Sequence, residues 1–340
     1  MTRIYLDHAA TTPLRPEARV VMEEGFAIWA NPSSPHAEGR GARAALEDAR
    51  RRCKAALGWE GELIFTSGAS EAATLAFGNA KLAHTCVSDV EHDALYHFVR
   101  DSGAGVLPVG PDGKVQFEAA TGDDRSLIAI QHVNSEAGTR QDIALLAEGV
   151  HDASGLLLVD CAQSAGKLDI PLCADMVILS AHKFGGPIGI GALLVKDFAM
   201  LNPSGGHERG YRRGTENLPG ALGMAAALEQ CDWETTSRHR ADFAGKLGND
   251  LQRIGEQVDY ILPLTHPEMS AQALLIRLDA MGFAVSAGSA CSSGSLKPSR
   301  VLQAFGLDEG IARRTIRVSL GWNTKPNDLD AFTDAWASLA

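Results

Sequence analysis

Between residues 63 and 195 the chain repeats one pattern: a short apolar run, a polar or glycine-rich turn, then a helical stretch. Leu63-Ile64-Phe65-Thr66, Thr85-Cys86-Val87-Ser88, Leu127-Ile128-Ala129-Ile130, Leu156-Leu157-Leu158-Val159, Met176-Val177-Ile178-Leu179 and Ile190 to Val195 each read as a strand. Apolar runs without alternation predict strands covered on both faces, and their alternation with helices predicts a mainly parallel sheet. Helical spacing predicts helices over Pro16–Ala30, Glu38–Leu57, Ala72–Leu82 and Ala271–Met281, with two more between Asn217 and Glu256 and a last one from Asn327. The second of the pair, charged around Ser237 to Arg253, is long enough to pass from one domain to another. Strands at Ile4–Leu6, Phe283–Val285 and Thr315–Leu320, mixed with helices, suit an α+β cap. The fold class is therefore α/β, a large domain over 13–245 with a mainly parallel central sheet flanked by helices, plus a smaller α+β domain from 1–12 and 246–340.

Each central run ends in polar residues, which places His92, Asn134, Asp160 and Lys183 at the carboxyl edge of the sheet, where such folds bind ligands. Lys183 lies in Ser180-Ala181-His182-Lys183-Phe184-Gly185-Gly186, between two apolar runs. Partial burial and nearby cations lower a lysine's pKa and free its amine to attack a carbonyl. Asp160 follows four apolar residues, so its carboxylate needs a cation beside it. Ser67-Gly68-Ala69-Ser70 joins a strand to a helix and offers free N–H groups and hydroxyls to a phosphate. The glycines from Gly185 to Gly191 match neither a Walker loop nor G-x-G-x-x-G, which disfavours a nucleotide. A lysine for a Schiff base, an aspartate for a pyridinium and a phosphate cradle are the parts a pyridoxal phosphate enzyme requires.

Composition narrows the partners. The 340 residues carry 31 Lys+Arg against 42 Asp+Glu, a formal net charge of -11, which argues against nucleic acid and against an anionic membrane surface. No apolar run is long enough for membrane insertion or export, so a cytoplasmic protein is expected. The six cysteines form no Cys-x-x-Cys, so neither a disulfide framework nor a metal site is expected. Cys291 stands in the small-residue stretch 286–295, Gly288-Ser289-Ala290-Cys291-Ser292-Ser293-Gly294-Ser295 at its centre. That setting predicts a mobile segment and an accessible, reactive thiol, a nucleophile or sulfur carrier.

Seven collinear motifs carry a resemblance: Tyr5-Leu6-Asp7-His8-Ala9-Ala10-Thr11-Thr12-Pro13, Thr66 to Glu71, His132 to Gly138, Asp160 to Ser164, Ser180 to Lys183, Gly205 to Gly210 with Gly214-Thr215, and Gly288 to Cys291. Together they resemble the cysteine desulfurases, class V aminotransferase-like enzymes of pyridoxal phosphate fold type I. The resemblance implies conversion of L-cysteine to L-alanine, with sulfur passing to Cys291 as a persulfide and on to an acceptor protein in iron–sulfur cluster assembly or tRNA thiolation. It implies that Lys183 holds the cofactor and moves the substrate's protons, with His92 over the ring and Asp160 on the pyridine nitrogen. Asn134 and Gln163 would bond the ring oxygen, and Ala69, Ser70, Ser180 and His182 the phosphate. Thr215 would reach the phosphate of the neighbouring subunit in a homodimer. Arg317 would clamp the substrate carboxylate, helped by Asn31. Ser70 stands where the family commonly has threonine, and Ile188 where relatives often have lysine. Selenocysteine lyase or another β-eliminating lyase is the alternative within the fold, and a non-catalytic sulfur carrier or assembly partner the alternative outside it.

Overall fold

The computed structural model describes residues 3–82, 84–117, 125–287 and 298–339. Strand β1 (Ile4–Tyr5) leads to helices α1 (Pro16–Ile28) and α2 (Ala37–Leu57), then β2 (Glu62–Thr66), α3 (Ala69–Asn79), β3 (His84–Ser88), α4 (Asp93–Ser102) and β4 (Gly105–Leu107). The chain continues through β5 (Ser126–Gln131), α5 (Ile143–Asp152), β6 (Leu156–Asp160), β7 (Met176–Ser180) and β8 (Gly191–Val195) to α6 (Leu218–Leu228). These strands form a seven-stranded sheet in the order β2-β8-β7-β6-β5-β3-β4. Every pairing is parallel except those of β8, which runs antiparallel to both β7 and β2.

The unbroken apolar runs follow from burial on two sides. Leu157 and Val159 of β6 join one core with residues of α2, α5 and α6, while Leu158 between them joins another with Ala72, Ala73 and Ala76 of α3 and Leu95 of α4. Neither face of these strands meets water, so alternation has no selective meaning here.

A second unit follows: α7 (Ser237–Leu247), β9 (Ile261–Thr265), α8 (Ala271–Ala280), β10 (Phe283–Ala284), α9 (Arg300–Ala304), α10 (Glu309–Ala312), β11 (Thr315–Ser319) and α11 (Pro326–Ala337). Strands β9 and β11 pair antiparallel, and β1 pairs parallel with β10. Their core gathers Leu6, Phe243, Leu247, Leu274, Val318 and Phe332. The helix expected over 237–253 ends at Leu247, because Gly248 turns with φ +56° into a 3-10 turn over Gly248–Asp250. The expected boundary at 245 thus falls inside α7, whose Phe243 and Leu247 both pack in the second core. Among the described residues no helix is long and apolar enough to cross a membrane.

Candidate active site

The parallel strands place their carboxyl ends side by side: Ser88, Gln131, Asp160 and Ser180 are the last residues of β3, β5, β6 and β7. A cavity of about 390 Å³ opens there, lined by the start of α3, by His92, by Asp160 and Gln163, and by the turn Ser180 to Lys183. The sequence-predicted residues Ala69, Ser70, His92, Asp160, Gln163, Ser180, His182 and Lys183 all line it.

Lys183 closes a 3-10 turn that follows β7. Its Nζ donates to the carbonyls of Ala9 at 2.6 Å and Ala10 at 2.8 Å. Burial, then the Arg317 guanidinium, push its amine down to about 8, against the opposing pull of Asp160 and Asp7. Asp160 accepts the Ala162 N–H at 2.8 Å. Burial holds its carboxyl above the ordinary carboxylate range and holds His92 below the ordinary imidazole value, each partly offset by the other's charge. His92 caps α4, its Nδ1 accepting the Ala94 N–H at 3.1 Å. His182 shares a hydrogen bond of 3.1 Å with Thr11 and is pushed down to about 4 by burial and by Lys183 and Lys167.

At the opposite side, Gly68 precedes α3 with φ +152° and ψ -175°, a region open to glycine alone, and offers the helix no side-chain cap. Ala69, Ser70 and Glu71 of the first turn of α3 line the cavity, and their N–H groups have no intrahelical partners. Gly191 brings β8 against this turn; a Cβ there would lie 2.4 Å from the Leu179 carbonyl and 2.8 Å from the Gly68 Cα.

These features fit pyridoxal phosphate. One end of the cavity presents a carboxylate in need of a cation, and the other a helix start and the Ser70 hydroxyl for an anion. Between them Gln163 keeps a buried Oε1 without a hydrogen-bond partner, while its Nε2 donates to Ala9. Gln131, Ser135 and Gly189 also line the cavity without having been predicted, and Gln131 carried a signal, a polar residue at the end of an apolar run. Ile188 stands at the mouth, 77% exposed.

Other predicted residues lie around the cavity rather than on its wall. Asn134 spends its amide on the backbone, accepting from Glu136 at 2.8 Å and Ala137 at 2.7 Å and donating to Val90 at 3.1 Å. The buried Arg317 donates to Asp7 at 2.8 Å and to the Ser135 carbonyl at 2.8 Å, and its Nε is unpartnered. Asn31 accepts the Ser33 N–H in its own exposed turn, and Thr215 is exposed; neither lines the cavity of this chain. Cys291 lies outside the described residues. None of the five described cysteines lines the cavity: Cys53 and Cys161 are buried in the core, and Cys86, Cys173 and Cys231 lie elsewhere.

Comparison with known proteins places the chain. Residues 4–332 match the family described as Aminotransferase class-V. The chain is 35% identical to a cysteine desulfurase of Cereibacter sphaeroides, over 98% of this chain and 95% of the relative, and 33% identical to cysteine desulfurase IscS of Dictyoglomus turgidum, over 97% and 93%. In three dimensions it is similar to a NifS-like protein from Rickettsia africae, with a TM-score of 0.90, 27% identity and 99% of both chains covered. It is also similar to SspA in complex with cysteine, with a TM-score of 0.83, 32% identity, and 95% of this chain and 100% of that one covered.

Proposed function

The chain belongs to the aminotransferase class-V family of pyridoxal phosphate enzymes, and we propose that it acts as a cysteine desulfurase, converting L-cysteine to L-alanine and passing the sulfur to a thiol of its own. The observation that carries the reading is the Lys183 amine, pushed down to about 8 in a cavity with a carboxylate at one end and an uncapped helix start at the other.

Pyridoxal phosphate, when bound, supplies an electron sink beside the substrate's α-carbon. We assign Asp160 to its ring nitrogen, Gln163 to its ring oxygen, and Ala69, Ser70, Ser180 and His182 to its phosphate. Lys183 would anchor it and, with its Nζ free, would take the substrate's α-proton. An amine near 8 is partly neutral at physiological pH and so able to take a proton. His92, on the cavity wall, would pack over the ring. The N–H groups of Arg317 not engaged by Asp7 and Ser135 turn to the substrate carboxylate, a task that suits a guanidinium fork. Asn134 acts from behind the wall, fixing the loop before α4 through Val90.

The sulfur acceptor within the enzyme is Cys291. Support comes from its small-residue setting and from the absence of any described cysteine from the cavity wall. Its thiolate forms an S–S bond to the substrate sulfur as the C–S bond breaks, and the carbon fragment leaves as alanine after protonation. We propose that the sulfur passes on to an iron–sulfur scaffold or to tRNA thiolation in the cytoplasm, a reading the likeness to cysteine desulfurases supports. A homodimer is part of the same reading: Thr215 belongs to the neighbouring subunit's phosphate site, and Phe26 and Trp29 on and beside α1 are large apolar side chains in want of cover.

Turnover of sulfur-labelled L-cysteine tests the reading. Label recovered on Cys291, with alanine formed in step, is expected. Label on another thiol, or alanine accumulating with none on the protein, sinks it.

A further inference from the structure

We propose that Arg300 is a positioning residue for His92, locking the loop that carries the imidazole to the helix start that follows the Cys291 segment in the chain. The inference rests on the desulfurase reading above, in which His92 contacts the cofactor.

The loop Asp89-Val90-Glu91 runs from the end of β3 to His92, which caps α4. A loop of this kind holds a side chain in place only if its carbonyls are tied down. Here all three are. Val90 accepts from Gln131 Nε2 at 2.7 Å and Asn134 Nδ2 at 3.1 Å. The outer two belong to Arg300, whose Nη1 donates to the Asp89 carbonyl and whose Nη2 donates to the Glu91 carbonyl at 2.8 Å. One planar guanidinium thus spans the loop, a geometry that an ammonium cannot reproduce. The same Nη1 lies 3.4 Å from Asp89 Oδ1, and the guanidinium carbon sits 3.5 Å from the ring centroid of Tyr96 in the first turns of α4. Arg300 therefore touches both sides of His92 along the chain.

Packing makes the connection stiff. Val301 and Leu302 of α9 share a small core with Val90 of the loop and Ala137 of the turn after β5. Ser299, the cap of α9, bonds the Glu136 carboxylate of that turn. Glu91 points its own carboxylate inward to Ser88 and the Gln131 N–H, so it offers Arg300 no ion pair. The link runs through backbone carbonyls, and what it fixes is the position of the loop.

A double-mutant cycle on the holoenzyme tests this, with L-cysteine turnover normalised to bound cofactor. Arg300→Ala is expected to lower kcat by about tenfold with KM within about twofold, since misplacement rather than lost binding is at issue. Arg300→Lys should recover part of the loss, and millimolar guanidinium should restore the Ala variant. In a His92→Gln background the same Arg300→Ala change should cost less than about twofold, because the residue it positions is gone. An equal loss in both backgrounds, or no loss in either, overturns the proposal; so does a loss confined to cofactor content. If Arg300→Ala does not fold, Arg300→Lys carried through the same two backgrounds gives the cycle. Wild-type turnover, measured alongside, reports on the desulfurase reading separately.

Discussion

Replacing Arg317 by glutamine should slow loading of the cofactor onto Lys183 and move its pH dependence upward. Burial and Arg317 hold the Lys183 amine down at about 8, against an ordinary value of 10.5. Bond formation needs the neutral amine, and with a value of about 8 roughly a tenth of it is neutral at pH 7, against ~0.03% for an ordinary lysine. Arg317→Gln removes the largest electrostatic contribution and also leaves Asp7 without its partner at 2.8 Å, and Asp7 pulls the amine in the same upward direction. Burial, the greater cause, stays. The midpoint should therefore rise on the order of one pH unit, short of the ordinary value, and loading below the midpoint should slow by about tenfold.

The assay is the growth of the yellow absorbance when apoenzyme is mixed with pyridoxal phosphate between pH 6 and 10. Titration of free pyridoxal phosphate is common to both proteins and cancels in the comparison. Arg317→Lys, which keeps the charge and loses the fork, should leave the midpoint within a few tenths of a unit while impairing use of the substrate carboxylate. An Arg317→Gln midpoint equal to wild type would refute the electrostatic account, and burial alone would then have to explain the depressed amine.

Three further outcomes follow from other sites. Asp160→Ala should load pyridoxal phosphate weakly and lose its colour on dialysis, since the carboxylate assigned to the ring nitrogen is gone; retained colour counts against the assignment. Glu208→Gln strips the buried Arg50 of its two-pronged partner, at 2.7 and 3.1 Å, and should destabilise the fold by about 3–5 kcal/mol in urea unfolding. Glu91 is wholly buried and raised from 4.5 to about 8, mainly by burial. The unfolded chain ionises there first, so from about 4.5 to 8 the folded state should lose stability as pH rises. Glu91→Gln removes that slope, and its Tm relative to wild type should climb between pH 5 and 9; a flat difference would show that Glu91 is ionised in the fold.

The sheet was legible because buried parallel strands write themselves as unbroken apolar runs, and the polar residue ending each run marked the cavity. Asp160 and Lys183 were found that way. What escaped depends on pairing between distant segments. Strand β9 contains Pro263, is absent from the strands the pattern predicts, and is defined by lying antiparallel to β11. The start of α3 was read too late, since Gly68 at φ +152° lets the helix begin at Ala69 without a side-chain cap. The pattern places Asn134 at the sheet edge, and the resemblance implies the ring oxygen as its partner. In the fold its amide also bonds the turn Glu136-Ala137 and Val90, contacts that no local pattern announces.

The segment from Asp7 to Thr12, legible in the sequence only as a motif, ties the two packing units together at Lys183. Asp7 pairs with Arg317 of β11, and the Ala9 N–H donates to Ser319 of the same strand at 2.8 Å. On its other side Ala9 accepts from both Lys183 and Gln163, while Thr12 bonds the carbonyls of His182 at 2.8 Å and Lys183 at 3.1 Å. A shift of β11 relative to the sheet must therefore either break these bonds or carry the backbone against which the lysine rests. The residue assigned to the substrate carboxylate and the residue assigned to the α-proton are thus joined by one short stretch of chain, as well as by the electric field between their charges. A substrate carboxylate at Arg317, as assigned, would act on Lys183 without a long pathway, because the connecting element is six residues of backbone bonded at both ends.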